Sequence, residues 1–396
     1  MMTINTEPVI PYNFERSLFE KIKAILPAID ELEMYEFSYA LKNLTPAGGW
    51  QSVKLDAMHE IETHVNDRTF YESIQTKRKV GDRIVLDETV VHLAQMLFVG
   101  LVSSVYPESW VNENFYFDIR AFLFFHRTKY FTPEVVAHFG GKPYMQFEPR
   151  QKRLNGLQEI GYKAFKEANA EVDQSFIDSI LKLVSARGTP ILLTLAGPTA
   201  AGKTEIMARL FAAFTAAGKK ITTIEMDNFL LDRDIRGEKP LGIATCHFEI
   251  FKQSLAGILA GKKVAIPRYD FINATSSHDE NSNLKPGSEP LEIEPADVVF
   301  IEGNFPFQLK EISDAIGIKV VYLTDDPIRL KRKWKRDIDF RKKYDPFFFV
   351  NRYFKTQFLR ADDCYSLQMN CCDIVVDTTN ASLWVTPALA AILQRS

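Results

Sequence analysis

A chain of 396 residues and 45.3 kDa is longer than one hydrophobic core usually serves, about 250–300 residues, so two domains are expected. Its 46% apolar and 25% charged residues exclude a disordered chain, and 48 basic against 51 acidic side chains, net −3, give no whole-molecule attraction to nucleic acid or an anionic membrane. The 4 cysteines, Cys246, Cys364, Cys371 and Cys372, are too few and too clustered for a disulfide framework and fit a reducing compartment.

The opening residues mix acids and lysines where a secretion signal would need an unbroken apolar stretch, so a cytoplasmic location is expected. Phe14, Leu18, Ile22 and Ile25 then recur on one helical face. Leu93 to Tyr106 is apolar but falls short of the ~20 residues that span hydrocarbon and contains Gln95, so it reads as a buried helix. Val172, Phe176, Ile177, Ile180, Leu181 and Val184 form another stripe, stopped by Gly188 and Pro190. The domain boundary is placed there: a mainly helical domain over 1–186, in which no motif ties to chemistry, and an α/β domain over 187–396. In the second, Ile191–Leu195, Ile221–Glu225, Val298–Ile301, Val320–Leu323 and Ile374–Val376 alternate with amphipathic segments, which predicts a parallel sheet flanked by helices. The polar run Asn273 to Pro290 reads as a mobile surface loop.

Directly after the first of these strands, Gly197-Pro198-Thr199-Ala200-Ala201-Gly202-Lys203-Thr204 satisfies G-x-x-x-x-G-K-[ST]. The glycines let successive amides turn toward phosphate oxygens, and the helix N-terminus adds partial positive charge. Lys203 would neutralise the β and γ phosphates, and Thr204 would offer its hydroxyl to Mg²⁺. Ile206, Leu210, Phe211 and Phe214 give the following helix its apolar stripe. Two acids end neighbouring strands: Asp227, a candidate to take a proton from an acceptor hydroxyl, and Glu302, a candidate to hold Mg²⁺. The segment Arg329 to Lys343 is dominated by basic residues against only Asp337 and Asp339, which suits a lid over transferring phosphates.

Taken in order, these segments resemble the uridine kinase and phosphoribulokinase family of P-loop kinases over roughly 190–380. Met226-Asp227-Asn228-Phe229 is similar to the family's Asp-Asp-Phe-Tyr segment, which implies that Asp227 is the base. Ile266-Pro267-Arg268-Tyr269-Asp270-Phe271 is similar to its substrate segment, implying contacts from Tyr269 and Phe271, with His247 in the stretch facing the same pocket. Val299-Phe300-Ile301-Glu302-Gly303 resembles its acidic strand, with Glu302 near Mg²⁺. Arg336-Asp337-Ile338-Asp339-Phe340-Arg341 with Lys343 resembles its lid, implying phosphate contacts from Arg336, Arg341 and Lys343. The resemblance implies ATP and Mg²⁺ as cofactors and phosphoryl transfer to a small hydroxyl acceptor, uridine or cytidine first. Departures fall on the acceptor side. Thr245-Cys246-His247-Phe248-Glu249 lacks the acid that uridine kinases hold against the ribose, and Lys343 replaces a lid arginine. Ribulose phosphate, pantothenate, glycerate or a sugar is the alternative acceptor, and a nucleotide-dependent regulatory module is the alternative of a different class.

Overall fold

All five apolar runs after residue 190 become strands of one sheet. The strands are β1 (Met145–Gln146), β2 (Ile191–Ala196), β3 (Ile221–Glu225), β4 (Val298–Gly303), β5 (Ile318–Leu323), β6 (Ile374–Asp377) and β7 (Ser382–Val385). Their order across the sheet is β1-β7-β6-β5-β2-β4-β3. The five from β3 to β6 are parallel, while β7 and β1 extend the edge antiparallel. This computed structural model describes residues 8–25, 34–75, 85–118, 123–150, 153, 162–237, 239–240, 242–304, 306, 310–324, 329, 332–333, 336–337, 341 and 358–395.

The strands are apolar without alternation because both faces are covered. One face buries Leu193, Leu195, Val320 and Val376 against Phe176, Ile180 and Val184 of the helix Ala170–Arg187 and Ile206, Leu210 and Phe214 of the helix Lys203–Ala216. The other buries Leu192, Val299, Ile301 and Val321 against Phe251, Leu255 and Ile258 of the helix Phe248–Leu259. Phe211, expected in the buried stripe, is 49% exposed. Met207 is buried in its place, because the stripe runs along the other edge of the helix.

The chain divides into two compact units, residues 1–128 with 326–359, and residues 129–325 with 360–396. The division therefore differs from the expected 1–186 and 187–396. The stop at Gly188 ends a helix, not a domain: that helix already packs on the sheet, and β1 is hydrogen-bonded to β7. The first unit is helical, with a core that gathers Phe14, Leu18, Ile22, Leu97 and Phe98 and one two-stranded hairpin, Phe115–Asp118 with Leu123–His126. Its helix Glu88–Val102 is the buried apolar segment of the sequence. Among the described residues, no helix is long and apolar enough to cross a membrane.

The loop between Asn273 and Pro290 is ordered by its own polar groups. Thr275–Ser276 pairs with Tyr269–Asp270, Asp279 accepts from the backbone N–H groups of Asn281 and Asn283 at 2.9 and 2.8 Å, and Lys285 donates to Asp232 at 2.7 Å. Side-chain caps of this kind hold a segment that composition alone marks as a surface loop.

Asp173 joins three elements of the sheet unit. It accepts from the Tyr322 hydroxyl on β5 at 2.7 Å and from Arg209 at 2.7 Å. Burial nevertheless pushes its carboxyl up to about 6, against the pull of Tyr322 and Arg209 and with Glu205 adding to the rise. The folded state thus holds more protons here than the unfolded state between the ordinary carboxyl value and about 6, and stability from this group falls as pH rises through that window. Asp173→Asn is expected to raise stability at pH 7 by about 1–3 kcal/mol, whereas Asp173→Ala, which strands Tyr322 and Arg209, should lower it by ~2 kcal/mol. Urea midpoints of both variants across pH 4 to 8 check this. An Asn variant that retains the wild-type pH slope would assign the slope to another group.

Candidate active site

The phosphate-binding loop is built by three residues in the left-handed half of backbone space. Gly197 has φ 147°, Ala200 φ 61° and Gly202 φ 110°, the last capping the helix Lys203–Ala216. Gly197 must lack a side chain for a second reason. A Cβ there would lie 2.3 Å from the carbonyl oxygen of Tyr322 on the adjoining strand β5. Lys203 is buried, and its ammonium group donates to the Gly197 and Pro198 carbonyls at 2.9 and 3.1 Å. Its charge is thereby folded over the loop whose amides form the cradle.

Beside the loop, parallel pairing sets Glu302 of β4 in register with Leu195 of β2 and with Glu225 of β3. Two like charges opposite one another on adjacent strands are unfavourable. Asp227 adds a third, in the short turn Met226–Phe229 that follows β3. Burial, then Asp227, pushes the Glu225 carboxyl up. Burial likewise pushes Glu302 up, with Glu225 and Asp227 adding to it, while Lys203 and the Thr204 hydroxyl pull it down. The strand ends therefore concentrate negative charge that one lysine only partly answers. Hard oxygen donors from Thr204 and Glu302 in such a place fit Mg²⁺.

On the far side of Asp227, its neighbour Asn228 accepts from the Tyr269 backbone N–H at 3.3 Å and donates to Glu225 at 3.5 Å. Asn228 thus ties the segment Pro267–Phe271 to the turn that carries the acid. Tyr269 is buried and meets Phe271 edge-on at 5.1 Å. Burial pushes its hydroxyl up, against the pull of Arg236 and Arg233.

Residues 192–379 match the model of the Phosphoribulokinase / Uridine kinase family. This stretch is similar to that family. The uridine kinase of Streptococcus pneumoniae is 28% identical over 161 residues, 38% of this chain and 69% of that protein. Among solved structures, a protein of Bacillus stearothermophilus described as a possible uridine kinase is similar over 52% of this chain and 98% of its own, with TM-score 0.37 and 20% identity. A D-glycerate 3-kinase from Cryptococcus neoformans var. grubii is similar over 52% and 96%, with TM-score 0.38 and 15% identity.

Of the expected site residues, Lys203, Thr204, Asp227, Glu302, Tyr269 and Phe271 lie in the unit that holds the sheet. His247 lies there too, but its expected reach to an acceptor meets an obstacle. The ring is 2% exposed, and both of its nitrogens are engaged, Nδ1 with Ser282 at 3.2 Å and Nε2 with Ser276 at 3.1 Å. Burial, followed by the nearby His278, holds it down at about 4, so it is a neutral clasp on the loop 273–290. Arg336 and Arg341 fall in the other unit. There Asp337, fully buried, accepts from Lys333 at 2.6 Å and Arg341 at 3.0 Å and faces Arg336 at 3.9 Å. Lys343 lies outside the described residues. Sequence reasoning missed Glu225 and Asn228. The spacing offered a signal for the first, since residues two apart at a strand end share a face.

Proposed function

We propose that this protein transfers the γ-phosphoryl group of ATP to the hydroxyl of a small metabolite, with Asp227 as the base. The observation that carries the reading is the meeting of three parts at the carboxyl ends of adjacent strands: the phosphate loop with Lys203 after β2, Glu302 on β4, and Asp227 after β3. Open parallel sheets bind ligands at this edge. The loop amides and Lys203 hold the triphosphate, and Gly197, Pro198, Thr199, Ala200, Ala201 and Gly202 shape the cradle. Thr204 and Glu302 would hold Mg²⁺, which would supply neutralisation of the triphosphate's charge. Asp227, fixed between the buried Met226 and Phe229, accepts the proton of the attacking hydroxyl.

The relatives named as uridine kinases make uridine the first acceptor to assay. A second reading, another hydroxyl metabolite, is favoured by one observation: Thr245–His247 presents no carboxylate, and its histidine is occupied by Ser276 and Ser282. Release of ADP from MgATP, measured with and without nucleosides and sugar alcohols, tests the function. Acceptor-dependent release supports a kinase. Slow hydrolysis indifferent to every acceptor would instead indicate a nucleotide-dependent regulatory module.

A further inference from the structure

The carboxyl ends of β2, β5 and β6 lie side by side, because these three strands are parallel neighbours. The phosphate loop follows β2, Thr324 follows β5, and Thr378 and Thr379 follow β6. One side chain joins the last two ends, and it comes from upstream of the stretch 192–379 that matches the family model. Arg150 is 1% exposed. Its Nη1 donates to the hydroxyl oxygens of Thr324 at 2.6 Å and Thr378 at 3.0 Å, and its Nη2 to that of Thr379 at 3.1 Å.

The surroundings fix the direction of that guanidinium. The backbone N–H groups of Phe147 and Arg150 donate to the Ala381 and Thr379 carbonyls at 2.9 and 3.3 Å, so the chain after β1 runs along the turn that joins β6 to β7. The Phe165 ring centre lies 5.7 Å from the central carbon of the guanidinium. Asp377 holds the same turn by accepting from the N–H groups of Thr379 and Asn380 at 3.0 and 3.2 Å. Thr378 donates to the Leu323 carbonyl of β5 through its backbone N–H at 3.0 Å and its hydroxyl at 2.9 Å. Burying a guanidinium is costly, and sheet pairing already joins β5 to β6. The cost is met at the end of the strand against which the phosphate loop rests: Gly197 lies so close to the Tyr322 carbonyl that a Cβ would stand 2.3 Å from its oxygen. Whatever fixes the end of β5 therefore fixes the floor beneath the first glycine of the loop.

Resting on the reading of Gly197 to Thr204 as a nucleotide site, we propose that Arg150 is a positioning residue for nucleotide binding, which holds the end of β5 through Thr324 and thereby sets the height of Gly197 and of the amides that follow it. It acts through Thr324 and Tyr322, not by contact with the nucleotide. Thr324 is the decisive partner because it extends β5, the strand beside β2, while Thr378 and Thr379 anchor the arginine from β6. A floor displaced by ~1 Å misdirects several amides at once, and a second layer of fixed side chains is what keeps a site to the precision it needs. The stretch that matches the family model thus draws on a residue outside it to shape its phosphate cradle.

Calorimetry of the full chain with MgATP and, separately, with Mg²⁺ and inorganic tripolyphosphate tests this. Arg150→Met is expected to weaken both ligands by about 10-fold, and Thr324→Val should reproduce most of that loss. Arg150→Lys keeps a charged donor without the planar fork and should fall between Arg150→Met and the wild type. Val184→Ala is the stability control. It opens a buried cavity near the end of the helix that leads into β2, away from the loop at the other end of that strand, so its urea midpoint should fall while both ligands bind as in the wild type. Arg150 variants that behave in the same way, with lower urea midpoints and wild-type affinities, overturn the proposal. So does a loss confined to ATP with tripolyphosphate unaffected, which would put Arg150 against the nucleoside. Should Arg150→Met fail to fold, Arg150→Lys and Thr324→Val carry the same outcomes. A wild-type chain that binds neither ligand removes the nucleotide site and the proposal with it, whereas normal wild-type binding with unaltered variants removes the proposal alone and leaves the kinase reading intact.

Discussion

Asparagine in place of Asp227 is expected to cut phosphorylation of the acceptor by ~10²–10⁴, with the affinity for ATP changed by no more than about twofold. The substitution keeps the size of the side chain and its place in the turn Met226–Phe229, where buried Met226 and Phe229 anchor the backbone. What it removes is the capacity to take a proton, together with one of three clustered negative charges. The second loss has a signature of its own. Asp227 contributes to holding the Glu225 and Glu302 carboxyls above their ordinary values, so both should titrate at lower pH in the variant, a shift that carboxyl-carbon NMR can follow. Kinetics and titration thus report separately on the base and on the charge cluster. Undiminished turnover by Asp227→Asn, with folding and ATP binding normal, would remove Asp227 from the mechanism.

How much of this could be seen beforehand divides along physical lines. The sheet was legible because strands covered on both faces are continuous apolar runs, and every run named after residue 190 is a strand with its expected direction. The phosphate loop was legible because its glycines answer to backbone geometry that few other residues tolerate. Antiparallel β7 and the short β1 were not identified. Two-residue Met145–Gln146 has no periodicity to detect, and its pairing is decided by Ser382 and Leu383 far along the chain. The domain boundary misled for a related reason: a glycine and a proline report where a helix ends, but only packing shows which core that helix serves. His247 looked available because the resemblance puts its stretch at the acceptor pocket, yet Ser276 and Ser282, on a loop that composition marks as mobile, close around both ring nitrogens.

Alanine at Gly197 is expected to be the most damaging single-methyl change in the phosphate loop. Two independent costs coincide there. With φ at 147° the residue sits where side chains are rarely tolerated, and the added Cβ would fall 2.3 Å from the Tyr322 carbonyl oxygen. That oxygen is part of a strand, not the end of a flexible side chain. β5 is held on one side by β2 and on the other by β6, so it cannot withdraw without breaking sheet pairing. The clash is relieved only if the loop lifts away, which swings its amides out of the cradle and shifts the carbonyls that accept from Lys203. Strain and overpacking together should cost ~3 kcal/mol of stability, and ATP affinity should fall by ~10²-fold. Gly218→Ala is the matched control. That glycine also has a positive φ, 71°, but nothing lies within 4 Å of its added Cβ, so only the conformational cost of about 1 kcal/mol applies and nucleotide binding should stay at the wild-type level. Urea midpoints measure the first effect and ATP calorimetry the second. A Gly197→Ala protein that binds ATP as tightly as Gly218→Ala would mean that the loop does not depend on close approach to β5, and the account of the cradle would have to change.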